Sequence, residues 1–199
     1  MDCSAELRAF PLELAGAVQR VAAELTPGSL LPPSANGHTV WVQDEALCMP
    51  YRLYYQSGAV LAPREGTDAL IAACLGSRLH DGFVREPCAE YLLRHPTPWT
   101  TPFVVALLGE YVVEIVQKIE IALAGAPLST YAAFANQNPA FMATTRRRAI
   151  SYWNQYYRRQ YPLKDAYPGL LALSAIGAAA SAEQFAELRR DAAIDDSGA

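Results

Sequence analysis

Apolar positions along this chain recur mostly at spacings of three and four. Leu7, Phe10, Leu14, Val18, Val21 and Leu25 predict an amphipathic helix over 6–25, with Pro11 tolerable only near its start. A Pro/Gly/Ser/Asn-rich stretch over 26–37 reads as a surface loop. The pattern then changes. Residues 38–42 and 47–55, rich in β-branched and aromatic side chains, predict a hairpin closed by 43–46. Pro50 has no N–H to donate, so its strand belongs at an edge or a bulge. Two strands alone do not persist in water, which requires the ribbon to lie on a helical body.

From Thr67 onward the period is helical almost to the end, with helices expected over 67–78, 82–94, 100–123, 128–136, 139–160 and 168–191. Breaks fall at Gly82, Pro96–Pro98, 125–127, Asn138-Pro139 and Tyr161-Pro162. Asp81 is placed to cap the helix that follows it. The expected fold is mainly α: a multi-helix bundle, or a short HEAT-like helix stack, with an N-terminal β-hairpin packed on it. A single mostly helical domain over 1–194 carries the hairpin at about 38–55, and 195–199 is a frayed tail.

Composition narrows the class. With 52% hydrophobic and 18% charged residues in 199, the chain has material for a real core and is not broadly disordered. A net charge of −4 argues against general binding to nucleic acid or membrane surfaces. The longest apolar run, 103–125, holds Glu110, Glu114, Lys118 and Glu120, too much charge for an ordinary bilayer span. Four scattered cysteines without a CxxC pair, and acids where a secretory leader would be basic, set the expectation of a cytoplasmic protein. Fourteen arginines against two lysines, with abundant alanine, suggest a GC-rich, bacterial coding bias.

One segment resembles a known family. His80-Asp81-Gly82-Phe83-Val84-Arg85-Glu86-Pro87-Cys88-Ala89-Glu90-Tyr91-Leu92-Leu93 is similar to the second helix of a HEAT-type repeat, with its acidic turn, Val-Arg pair, small residue and leucine. Residues 102–116 are similar in outline to a following repeat, so the likeness covers about 80–123. It departs at Pro87 and in the missing acidic turn before Glu110. The resemblance implies stacked helix pairs that bind protein partners.

The strongest local chemistry is a basic-aromatic stretch. Between Glu120 and Asp165 no residue is acidic, while Arg146, Arg147, Arg148, Arg158, Arg159 and Lys164 are basic. On one continuous helix, Arg147 and Arg158 share a face and Arg148 and Arg159 share its neighbour, each pair about 16 Å apart. Ile150, Trp153 and Tyr157 form the apolar stripe. Guanidinium forks suit carboxylates or phosphates, and Tyr152 and Tyr156 add aromatic anchors. The competing account is internal: Glu110 and Glu114, one turn apart in an apolar helix, need cationic partners if buried, and Arg78, Arg85 or the Arg146–Arg148 cluster can supply them.

Two catalytic or metal readings are weaker. Crowded carboxylates at Glu110 and Glu114 could serve acid–base chemistry, but no nucleophile accompanies them. Cys74, His80, Cys88 and His95 match no zinc spacing, and Cys74 and Cys88 fit a core between antiparallel helices. There is no GxxxxGK[ST], GxGxxG, HExxH or GxSxG motif. The sequence therefore points to a non-catalytic cytosolic interaction module that binds an acidic protein surface through Arg147, Arg148, Tyr152, Tyr156, Arg158 and Arg159. No cofactor, metal or membrane is expected. The alternatives are a nucleic-acid-associated protein using the same face, and an enzyme built on Glu110 and Glu114. Opposite charges on one chain also leave self-association open.

Overall fold

The computed structural model describes residues 5–25 and 36–196. The loop expected over 26–37 lies almost wholly outside them, as do the last residues of the tail. The molecule is mainly α, with a two-stranded antiparallel hairpin packed against the helices.

The N-terminal amphipathic segment is not one helix. Two short 3-10 turns, Leu7–Ala9 and Leu12–Leu14, precede α1 (Ala15–Glu24), because Pro11 interrupts the hydrogen-bond ladder between them. Strands β1 (Gly37–Val42) and β2 (Glu45–Pro50) pair in register Val42 with Glu45 through Gly37 with Pro50. The turn is tighter than expected. Only Gln43 and Asp44 make it, both at positive φ (47° and 70°), the twist that a two-residue hairpin needs. The second strand stops at Pro50 rather than reaching Tyr55, since proline cannot donate to a ladder.

Beyond Pro50 the chain turns back against the helices. Leu53 forms a parallel bridge with Leu79: its N–H donates to Arg78 O at 3.0 Å, and His80 N–H donates to Leu53 O at 3.2 Å. This bridge sets Arg52 beside Arg78. A single turn, α2 (Ser57–Val60), leads to the antiparallel pair α3 (Gly66–Gly76) and α4 (Gly82–Arg94). Asp81 caps α4 by accepting from Phe83 N–H at 2.9 Å.

The helix expected over 100–123 is broken. α5 (Thr101–Leu107) and α6 (Val113–Ala124) flank a turn over 108–112. α5 tightens at its end, with Leu108, Gly109 and Glu110 N–H groups donating to Val105, Ala106 and Leu107 carbonyls. All of α5 is buried, so it has no polar face whose loss could mark the break. α7 (Ser129–Gln137) and α8 (Pro139–Tyr152) follow, and a π-helical turn, Trp153–Tyr157, extends α8. The last helix, α9 (Pro168–Asp196), packs on α6, α7 and α8. It reaches Asp196, where the sequence predicts fraying from 195. Its stretch 168–190 is long and apolar enough to cross a bilayer by length and composition, and a third of its apolar window is buried in the body. The buried side chains form one continuous cluster around α5.

Candidate functional site: a buried arginine cluster and a basic-aromatic face

The turn between α5 and α6 places one carboxylate in the interior. Glu110 is fully buried, and it stands there because two helices press on the turn from outside. A Cβ at Gly109 would lie 3.2 Å from the Thr145 carbonyl of α8, and a Cβ at Gly169 would lie 2.9 Å from Leu108 O. Glycine at both positions lets α8 and the start of α9 close over the turn.

Four guanidiniums from four separate segments converge on that carboxylate. Arg52 Nη2 lies 2.6 Å and Arg85 Nη1 3.0 Å from Oε2; Arg78 Nη2 lies 3.5 Å and Arg148 Nη2 3.7 Å from Oε1. Arg78 and Arg85 are buried, while the side chains of Arg52 and Arg148 keep 23% and 33% exposure. Arg78 also donates to the carbonyls of Pro50 and Tyr51, Arg85 to Tyr111 OH, and Arg148 to Gly109 O. Even so, among the described residues Arg52 Nη1, Arg78 Nη1 and Arg85 Nε are buried with no acceptor, and Glu110 Oε1 has no hydrogen-bond donor. Among the described residues, four cations on one anion leave the cluster at +3.

The titration behaviour follows from that imbalance. Burial acts to raise the Glu110 pKa, but Arg78, Arg52 and Arg85 outweigh it and hold the carboxyl below its ordinary value. Arg78 is pushed down to about 10 by burial and by repulsion from Arg52, Arg148 and Arg85, with Glu110 opposing. His38, on β1 between the rings of Tyr51 and Phe141, is lowered to about 4 by burial and by the charges of Arg78 and Arg148.

The sequence candidates distribute themselves unevenly. Arg78, Arg85 and Glu110 meet in the cluster, but Glu114 does not: it is exposed on the first turn of α6 and, among the described residues, forms no ion pair. The break at 108–112 is the reason, since it takes Glu110 off the helix that carries Glu114. The two carboxylates are therefore not a helical pair. Arg148, expected on an outer face with Arg159, instead turns inward onto Gly109 O and Glu110. Sequence pattern gives no sign of the part played by Arg52 and Tyr111. Arg52 falls within the second expected strand, and only the Leu53–Leu79 bridge reveals its role.

The remaining basic-aromatic residues form a surface. A row of rings leads out from the cluster: Arg85 sits 5.2 Å from the Tyr111 ring, Tyr111 6.1 Å from Tyr152, and Tyr152 6.3 Å from Tyr156, which is 63% exposed. Ile150, Trp153 and Tyr157 pack against the core as the stripe predicts. The π turn breaks the assumed register, however, so Arg158 and Arg159 do not continue the α-helical faces of Arg147 and Arg148. Arg147 donates to Thr144 Oγ1 at 2.8 Å; Arg158 donates to Asn154 Oδ1 at 3.2 Å and lies over the Trp153 ring. Arg147, Arg158 and Arg159 are all exposed.

Of the four groups weighed for zinc, Cys74 and Cys88 are buried, with thiols pushed up by burial, whereas His80 and His95 are exposed. His80 stacks on Tyr54, and His95 bonds to Tyr91 O. Among the described residues no three His, Cys, Asp or Glu side chains converge as a metal site. Comparison with family models, with curated proteins and with solved structures finds no match to this chain.

Proposed function

We propose that this protein is a non-catalytic interaction module that docks an acidic segment of a protein partner on the surface made by α8, its π turn and the residues just after it. Arg147, Arg158 and Arg159 supply the charge, Tyr152 and Tyr156 the aromatic anchors, and Arg148 joins the face to the interior. The observation that carries this reading is a division among the arginines. Those of the interior hold Glu110, while among the described residues Arg147 and Arg158 take only neutral partners: a threonine hydroxyl, an asparagine carbonyl and an indole ring. A guanidinium with a neutral partner keeps its full charge for an external carboxylate, and tyrosine and arginine are the residue types that dominate interface energies. The reading needs no cofactor, and it places the module in a reducing compartment, where Cys48, Cys74 and Cys88 stay free.

A fluorescent Asp/Glu-rich peptide, with a Gln/Asn-rich peptide of equal length as control, tests the reading by anisotropy. Wild type should bind the acidic peptide, and Arg158→Glu/Arg159→Glu should weaken it at least tenfold with circular dichroism unchanged. Equal binding by the variant refutes the proposal. Tighter binding of a single-stranded oligonucleotide, falling steeply with salt, would move the face to nucleic acid instead.

A further inference from the structure

We infer that the arginine cluster around Glu110 is a binding site for inorganic phosphate in its monohydrogen form. The inference stands on the interior and does not depend on the outer face. Its first support is charge. A +3 cluster containing Arg78 at 1% and Arg85 at 0% side-chain exposure is more cationic than a protein interior sustains without a counter-ion. A monoanion leaves it at +2, whereas a dianion leaves it at +1.

The second support is the hydrogen-bond inventory. Among the described residues, Arg52 Nη1, Arg78 Nη1 and Arg85 Nε are three donors without acceptors, carried by the guanidiniums that already meet at Glu110. Glu110 Oε1 is one acceptor without a donor, standing 3.5 Å from Arg78 Nη2 and 3.7 Å from Arg148 Nη2, too far for good hydrogen bonds. Monohydrogen phosphate supplies both kinds of group: three oxygens that accept and one P–OH that donates. Guanidinium forks match its oxygens, and the P–OH can donate to the carboxylate, which otherwise repels an anion. Sulfate and phosphomonoester dianions have the charge but no O–H, so they leave Oε1 unpartnered and face its repulsion. Glu110 is thus the specificity element and the arginines are the affinity. Access runs past Arg52 and Arg148, the two members whose side chains reach solvent and can swing aside without unwinding a helix.

Titration calorimetry at pH 7.5 and constant ionic strength tests this, with inorganic phosphate, sulfate and O-phosphoserine as the probes. Wild type should bind one phosphate saturably and each of the other two at least tenfold more weakly. Arg148→Met should lose at least tenfold in phosphate affinity. An independent readout uses the unaltered chain: bound phosphate should raise the pKa of His38, followed by the NMR shifts of its ring, because the anion offsets the charges of Arg78 and Arg148. No saturable phosphate binding, or equal binding of phosphate and sulfate, overturns the inference. So does a His38 pKa that phosphate leaves where it was, even if Arg148→Met fails to fold.

Discussion

A single ring that feels the charges of the cluster shows how far a local environment reaches. His38 is neutral near pH 7 because burial and the charges of Arg78 and Arg148 disfavour its protonated form, with Glu110 acting weakly the other way. The folded value is about 4 against about 6.5 for an unperturbed histidine. Between those values the unfolded chain binds a proton that the native protein refuses. Stability therefore falls as pH drops from about 6.5 to about 4, and the contribution is complete above 6.5. With the ring only partly buried, about 1–2 kcal/mol is at stake. His38→Phe, which keeps a ring against Tyr51 and Phe141, should flatten this part of the curve. Urea unfolding at pH 7 and pH 5 measures it; an unchanged difference between the two would show that His38 is not the responsible group. None of this is legible in the sequence. The β-branched and aromatic run marks His38 only as a strand residue, and the charges that set its pKa sit 40 and 110 positions away.

Elements are joined here by side chains that imitate backbone. Asn138, between α7 and α8, accepts from Trp41 N–H at 2.7 Å and donates to Trp41 O at 2.8 Å and to Phe134 O at 2.9 Å. It thus stands in for a third strand along β1 and caps the outer edge of the ribbon where they meet. Asn138→Ala removes these bonds at a site only 5% exposed and should cost about 2–3 kcal/mol. Asn138→Asp keeps the acceptor and loses the donors, so Trp41 N–H should exchange more slowly in that variant than in Asn138→Ala. Hydrogen exchange at that amide reads both, and equal exchange in wild type and Asn138→Ala would refute the bridging role. The sequence foretells that the ribbon must lean on the helices, because an isolated hairpin is unstable. It does not say which residue holds it, since Asn138-Pro139 has the form of a helix break. Periodicity places α4, α7 and α9 well because each has distinguishable ends or faces. It misses the break at 108–112 because α5 is buried on every side and its run of apolar residues continues into α6.

For the molecule as a whole, the cluster works as a knot of uneven charge. Glu110 links the segment after β2, the end of α3, α4 and α8 to the turn between α5 and α6. Removing the anion and removing one of the cations should therefore have very different consequences. Glu110→Gln leaves the guanidiniums facing each other in the interior and should destabilise by about 3–5 kcal/mol, the usual cost of stranding a buried charge. Arg148→Met removes the most distant and most exposed cation and relieves repulsion on the others, so its cost should stay below about 1 kcal/mol. Acid provides a second check. Because the folded pKa of Glu110 lies below its unfolded value, its contribution is present above about pH 4.3 and disappears as pH falls through the folded value. That acid-side loss should be missing from Glu110→Gln and intact in Arg148→Met. Urea unfolding of both variants from pH 3 to pH 7 measures this directly. If the two substitutions cost the same, the cluster is a set of balanced pairs rather than a cationic site held by one carboxylate, and the interior has no excess charge for an anion to answer.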